Sequence, residues 1–256
     1  ISITDSYGTE LFSRRFVVYT PQVNVPAEVK RARDLKYYDT QQVVQFTINQ
    51  KDFRLDNPQV AVKVAVLQNY RWDTAISGLK PQYIIGNELV YRYDRETAFW
   101  AGNEYFYFDS KDIRVAASGI ARFTRDRLVG SYLFTNVSRA NSVYTYYPDI
   151  NGDFLVTTVN GANPANEADY TQVHFALEGK STFWGKEVYV YGKFSNYELR
   201  DEYKLTYDEK DGLFKGKVLL KQGFYNYKFA TKEGRTIDFN EIGGNFYQTE
   251  NTYIIL

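Results

Sequence analysis

The sequence predicts an all-β protein made of tandem antiparallel β-sandwich domains. Tyrosine (24) and phenylalanine (18) dominate the aromatic content of the 256 residues. With Val, Thr and Ile, such side chains favour pleated surfaces over helices. Apolar residues also alternate with polar ones along short segments, as in Val44, Phe46 and Ile48, which places them on one strand face. The segments recur at spacings that suit an antiparallel sandwich.

Leu11 to Tyr19 reads as a strand and is followed by Pro21 and Pro26. So short a piece cannot bury an apolar face alone. Residues 1–20 are therefore expected to be the terminal strand of a truncated preceding domain, or a strand lent to the next. A second unit begins near Tyr38, with Val44, Phe46 and Ile48 on one face and Val60, Val62, Val64 and Val66 alternating in the following strand. Further strands are expected at Glu88 to Tyr93, Glu104 to Asp109, Ile113 to Ala117, Val143 to Tyr147, Phe154 to Val159 and Tyr170 to Leu177. Pro148 and Asn151-Gly152 place a turn before Phe154, because Asn-Gly readily takes the positive φ angles of a tight hairpin. Gly161 to Asp169 reads as a polar surface loop. A domain junction is expected near Glu178-Gly-Lys180, which leaves a middle sandwich over 21–177 and a C-terminal one over 178–256. In the latter, Val188 to Asn196, Phe214 to Leu220 and Lys221 to Phe229 read as three strands, with Tyr225, Tyr227 and Phe229 on one face. A unit this small depends on dense aromatic packing.

Thirty-one Lys plus Arg balance thirty-one Asp plus Glu, so no global field steers the chain to nucleic acid or to an anionic bilayer. The longest apolar runs, such as Val60 to Leu67, are broken by Lys63 and fall short of the roughly 20 residues a membrane helix needs. No membrane span is expected. Cysteine is absent, which removes disulfides, thiolate nucleophiles and Cys-based zinc sites together. With Ile1 in first place and no charged-then-apolar start, the chain reads as a processed or excised piece.

His174 is the only histidine, which excludes a His-rich metal site and leaves one base for any Ser/His/Asp arrangement. Val173 and Phe175 put it on the opposite strand face, where it reads as a partly exposed structural residue. No Gly-x-Ser-x-Gly elbow occurs. The carboxylates could supply the pair that glycoside hydrolysis needs, but that chemistry depends on a separation in space. Asp149-Ile-Asn-Gly-Asp153 looks superficially like a calcium loop, yet its glycine comes too early and no Glu closes it, so a hairpin turn explains it better. Gly243-Gly244 lacks the Lys-Ser/Thr of a phosphate loop. The basic stretches Lys30 to Lys36 and Arg122 to Arg127 read as solvated faces or loops that meet a partner. Trp72, Trp100 and Trp184 are either core or anchors for a partner or a sugar ring; Trp72, in a turn between Arg71 and Asp73, is the least core-like. No catalytic residue, metal, cofactor or small-molecule ligand is expected.

Two resemblances extend this reading. Gly192-Lys-Phe-Ser-Asn196, Gly212-Leu-Phe214 and Gly223-Phe-Tyr-Asn-Tyr-Lys-Phe229 are similar to the early-set, immunoglobulin-like modules related to glycogen-binding domains. Those modules stack sugars on tryptophans, whereas Tyr197 follows Asn196 here. The second resemblance covers nearly the whole chain. It rests on Arg14-Arg-Phe16, Gln41-Gln-Val43, Asn57-Pro58, Val66-Leu-Gln-Asn69, Ala75 to Pro81, Gly102-Asn-Glu104, Leu219-Leu-Lys-Gln-Gly223 and Gly244-Asn-Phe-Tyr-Gln-Thr-Glu-Asn251. Together these look like the type IX secretion system plug proteins of Bacteroidetes. The chain departs from that pattern at Tyr105 to Phe108, where relatives often carry arginines. The resemblance implies tandem immunoglobulin-like sandwiches and a non-enzymatic periplasmic protein that docks on an outer-membrane translocon barrel and closes it when idle. Arg71, Trp72, Asn103 and Glu104 are the candidate contact positions, with turn roles as the competing reading for Asn103 and Glu104. The alternative function is a carbohydrate-binding accessory module of the cell envelope, which would use Trp184 or Tyr197.

Overall fold

The aromatic and β-branched segments form strands almost throughout: the computed structural model is 40% strand and 7% helix. It describes residues 1–13, 16–50, 53, 55–116, 118–159 and 161–256. The chain divides into two units, one of residues 1–100 with 252–256 and one of residues 101–251.

In unit 1, β1 (Ser2–Thr4) pairs with β2 (Glu10–Ser13). The principal sheet is built on β4 (Gln41–Asn49), which carries β3 (Ala27–Arg31) on one edge. Its other edge is shared by β8 (Glu88–Tyr91) and β9 (Ala98–Trp100), and β7 (Tyr83–Ile85) pairs outside β8. A three-stranded sheet has β5 (Ala65–Gln68) between β6 (Ile76–Ser77) and β20 (Tyr253–Ile255). Val44, Phe46 and Ile48 share one face of β4, as their alternation predicts. They pack with Leu89, Tyr91 and Phe99 against Val64, Val66 and Leu79, which makes this unit a sandwich. Phe46 and Tyr91 are cross-strand partners with rings stacked at 4.5 Å. Burial pushes the Tyr91 hydroxyl up to about 12.

Among the described residues, unit 2 forms a ten-stranded sheet. Its strands are β10 (Phe106–Asp109), β11 (Ile120–Arg125), β12 (Val129–Leu133), β13 (Phe154–Val156), β14 (Tyr170–Glu178), β15 (Glu187–Tyr191), β16 (Lys204–Asp208), β17 (Leu213–Lys221), β18 (Gly223–Glu233) and β19 (Thr236–Asp238). The main path runs β10-β18-β15-β16-β17-β14-β12-β11, and β13 and β19 also pair with β18. The β12–β14 pair is parallel and the others are antiparallel. Phe108 of β10 meets Phe175 of β14 edge to face at 6.1 Å, so the sheet folds back over one core. Val173, Phe175, Leu177, Tyr225, Tyr227 and Phe229 all lie in that core, each worth about 1.5–3 kcal/mol by burial.

Several expectations are corrected. The junction does not fall near Glu178, because β14 pairs from Tyr170 to Glu178 with β17 and so locks both sides into one sheet; the 21–177 and 178–256 division gives way to a change of unit after Trp100. Of the strand expected over Leu11 to Tyr19, Leu11 to Ser13 lie in β2 and have a local partner in β1, while Phe16 to Tyr19 is exposed and not strand; Arg14 and Arg15 lie outside the described residues. Val60 sits in a short helix, α1 (Pro58–Ala61), where Pro58 is preset for the first helical turn, and it is exposed. Only Val64 and Val66 of that alternation are buried. Ile113 to Val115 form a turn, held by the Asp112 carboxylate accepting from the Arg114 amide at 2.9 Å. Val143 to Tyr147 is not in a strand, and Val143 is exposed. Asn151 and Gly152 do take positive φ, 53° and 83°.

Candidate functional site

The candidate contact residues divide between the units, Arg71 and Trp72 in unit 1 and Asn103 and Glu104 in unit 2. After β5 the chain reverses through Asn69 and Tyr70, both left-handed at φ 53° and 60°. Asn69 is clamped to Thr252 by both its amide N–H (2.8 Å to the carbonyl) and its side-chain oxygen (2.9 Å from the Thr252 N–H). The reversal turns Arg71 inward onto Asp73, with Nε at 3.2 Å from Oδ1 and Nη2 at 2.5 Å from Oδ2. Trp72 is left 40% exposed. Of these two, Trp72 has the surface to meet a partner.

Below this turn lies a neutral polar hub. The Tyr253 hydroxyl accepts from Gln68 Nε2 at 3.0 Å and donates to Gln42 Oε1 at 2.7 Å, and Gln68 Nε2 also reaches the Trp100 carbonyl at 3.1 Å. Burial raises the Tyr253 hydroxyl above its ordinary value.

Asn103 and Glu104 are 4% and 1% exposed, so neither offers surface to a partner; both work inside unit 2. Asn103 Nδ2 donates to the Gly243 carbonyl at 2.8 Å, and its Oδ1 accepts from the Glu104 amide at 2.8 Å. Glu104 Oε1 accepts from the Tyr144 hydroxyl at 2.5 Å and the Glu250 amide at 3.1 Å. Around them Gly102 is bound to Asn245, Phe246 and Thr249, and Ala101 to Asn251, so the strap 101–105 is zipped to 243–251. Gly244, at φ 83°, crosses close to Ala140, whose Cα a methyl group at position 244 would meet at 2.9 Å.

Within unit 2, a second hub is built around Glu104 from charged groups that local sequence does not mark. Arg139 donates to the Glu104 carbonyl and lies 3.8 Å over the Phe106 ring. Asp149 accepts from the Tyr105 and Asn151 amides, both at 2.6 Å, and Lys228 lies 4.0 Å over the Tyr105 ring. Burial raises the Glu104 carboxyl, opposed by the Tyr144 and Glu250 donors, with Asp149 adding to the rise. Asp149 is raised too, first by burial. Burial lowers Arg139. Glu104 Oε2 and Arg139 Nε find no hydrogen-bond partner among the described residues. Asn226 and Lys228 are buried as well, although they alternate with Tyr225, Tyr227 and Phe229. Both faces of β18 are therefore covered, the second one by Tyr105 and the 149–152 turn.

Among the described residues, no group of three or more His, Asp or Glu is placed to hold a metal ion. A groove of about 280 Å³ in unit 1, lined by Pro26, Glu28, Gln45, Thr47 and Arg92 among others, contains one carboxylate. That carboxylate, Glu28, is paired with Lys30 Nζ at 2.5 Å. All three tryptophans are exposed, Trp184 most at 66%, which corrects the expectation that Trp72 is the least core-like.

Fold and hubs define an all-β protein of two sandwich-cored units whose candidate residues are chiefly internal ties. In comparison with solved structures, the chain is similar to a hypothetical protein from Parabacteroides merdae, a member of the Bacteroidetes. The two share 32% identity and a TM-score of 0.84 over 92% of this chain. The chain spans 60% of that protein's length. No protein-family model and no curated protein matches it.

Proposed function

We propose that the chain is a non-enzymatic, periplasmic plug or accessory protein that closes the outer-membrane translocon of a type IX secretion system by protein–protein contact. One observation carries the reading. Three segments that resemble the plug family, Val66 to Asn69, Gly102 to Glu104 and Gly244 to Asn251, are the ones that tie each unit together internally. The likeness is thus to the determinants of the scaffold. Similarity to a protein of a Bacteroidetes species supports the same lineage. A stopper has to be stiff and to offer an interface of at least about 1,000 Å² with aromatic anchors. Exposed Trp72, Tyr83, Trp100, Tyr146, Tyr147 and Trp184 supply such anchors. The test is co-purification with the translocon barrel together with antibiotic entry into deletion cells. Unchanged permeability in the deletion strain overturns the proposal.

The exposure of Trp184 favours a second reading, a carbohydrate-binding accessory module of the cell envelope. Calorimetric glycan binding that disappears in Trp184→Ala selects it over the plug.

A further inference from the structure

The outer face of the unit 2 sheet carries a row of side chains that the plug reading does not use. Register sets Arg122 of β11 opposite Tyr132 of β12, Tyr132 opposite His174 of β14, and His174 opposite Lys217 of β17. The four stand in line across adjacent strands, on the face away from buried Val173 and Phe175. At about 4.8 Å per strand, the row is roughly 14 Å long.

Its interior is stacked. The Arg122 guanidinium lies 3.5 Å from the centre of the Tyr132 ring, and Tyr132 stacks on His174 at 4.0 Å with planes 6° apart. The Tyr132 ring is held between its two neighbours, and the row offers guanidinium, hydroxyl, imidazole and ammonium groups for hydrogen bonding. A sugar or nucleobase needs an open face to stack on, and Tyr132 has both neighbours against it. Arg122 and Lys217 are exposed, and neither enters an ion pair among the described residues. The adjoining row is Thr124, Gly130, Gln172 and Leu219, without a carboxylate. On the other side Ala176 faces Lys215, which pairs with both Asp208 and Asp211 and leaves that flank, beyond the row, with one negative charge in excess. Burial, then Lys217, then Arg122, hold the imidazole below its ordinary value, so the two charges that act on it are both positive.

We propose that this row is a docking surface for an acidic polypeptide segment of a partner protein, whose successive carboxylates accept hydrogen bonds from Arg122, His174 and Lys217. The length decides for a polypeptide: an extended chain covers about 14 Å in roughly four residues at 3.3–3.6 Å each, whereas a single phosphate reaches one end. Carboxylates brought to the row favour the imidazolium, so docking and protonation of His174 are linked. Docking at this row does not depend on the plug reading.

Because His174 is the sole histidine, its imidazole proton resonance can be followed without assignment in the full chain. Titration with hexaglutamate should raise the His174 pKa by about one, with binding about tenfold tighter at pH below that value than above it. Arg122→Gln with Lys217→Gln should remove the rise, whereas Lys210→Gln, an exposed lysine on a separate turn, should leave it intact. In His174→Gln the affinity should lose its pH dependence. An unchanged His174 titration, equal binding by the double variant, or persistent pH dependence in His174→Gln would overturn the proposal. So would inorganic phosphate, phosphatidylglycerol vesicles or single-stranded DNA that matched hexaglutamate at equal charge.

Discussion

Unit 1 and unit 2 each bury a polar hub beneath a chain reversal, and they build it from different chemistry. In unit 1, Gln42, Gln68 and Tyr253 exchange hydrogen bonds between neutral groups. In unit 2, Glu104, Arg139, Asp149 and Lys228 bring charges into the interior, held by backbone amides and aromatic rings. The neutral hub costs little to desolvate and is insensitive to proton concentration. The charged hub is costly to desolvate, and removing one partner leaves others exposed to that cost.

The contrast between the hubs is tested most severely at Glu104. Glu104→Ala strands the Glu250 amide, leaves the Tyr144 hydroxyl only the Gln248 carbonyl at 3.2 Å and removes a countercharge to Arg139, so unit 2 should lose about 3 kcal/mol. Urea unfolding followed at Trp184, the tryptophan of unit 2, reads this; a loss under about 1 kcal/mol would mean that the hub is not a unit. Tyr253→Phe deletes one hydroxyl between two amides and should cost about 1–1.5 kcal/mol, seen as a lower urea midpoint with unchanged slope. A third measurement separates the hubs by pH. The Glu104 carboxyl is raised above 4.5 in the folded state, so its contribution is full below that value and fades as pH rises through the folded pKa. Wild type should therefore gain on Glu104→Gln as pH falls from neutral toward 4.5, by about 1.4 kcal/mol for each pH interval of one between 4.5 and the folded pKa. The gap between wild type and Tyr253→Phe should stay flat over that window. The smallest effect is at His174, whose pKa is lowered from 6.5. Its contribution is present above 6.5 and fades as pH falls toward the folded value. Removing it in His174→Gln should flatten acid sensitivity by up to about 0.5 kcal/mol, measured by thermal unfolding between neutral pH and pH 5.

The sheet faces are legible in the sequence because alternation is local: Val173, Phe175 and Leu177 announce their common face without knowledge of any partner strand. Pairing is not local. Nothing near Glu178 signals that β14 is joined to β17 along its whole length, so a turn-rich stretch reads as a domain junction. The same gap hides the Arg122 to Lys217 row, since its members are adjacent only once four strands are in register. In β18, alternation marks Tyr225, Tyr227 and Phe229 as buried but implies that Asn226 and Lys228 face solvent. The strap at Tyr105 and the 149–152 turn cover that second face. Gly102-Asn-Glu104 stands out as a motif, but only the fold shows that its side chains point inward.

The return of β20 to unit 1 sets an order of maturation. β5 emerges from the ribosome with β6, but its other neighbour follows only after residues 101–251 have been translated. At 5–20 residues per second the wait is roughly 8 to 30 s. By the end of that interval unit 2 has its complete sequence while unit 1, although synthesised earlier, still presents an open strand flank to the surrounding solution. The first sandwich begun is thus the last to close, and a nascent chain stalled before Tyr253 carries a finished second unit and an unsealed first one.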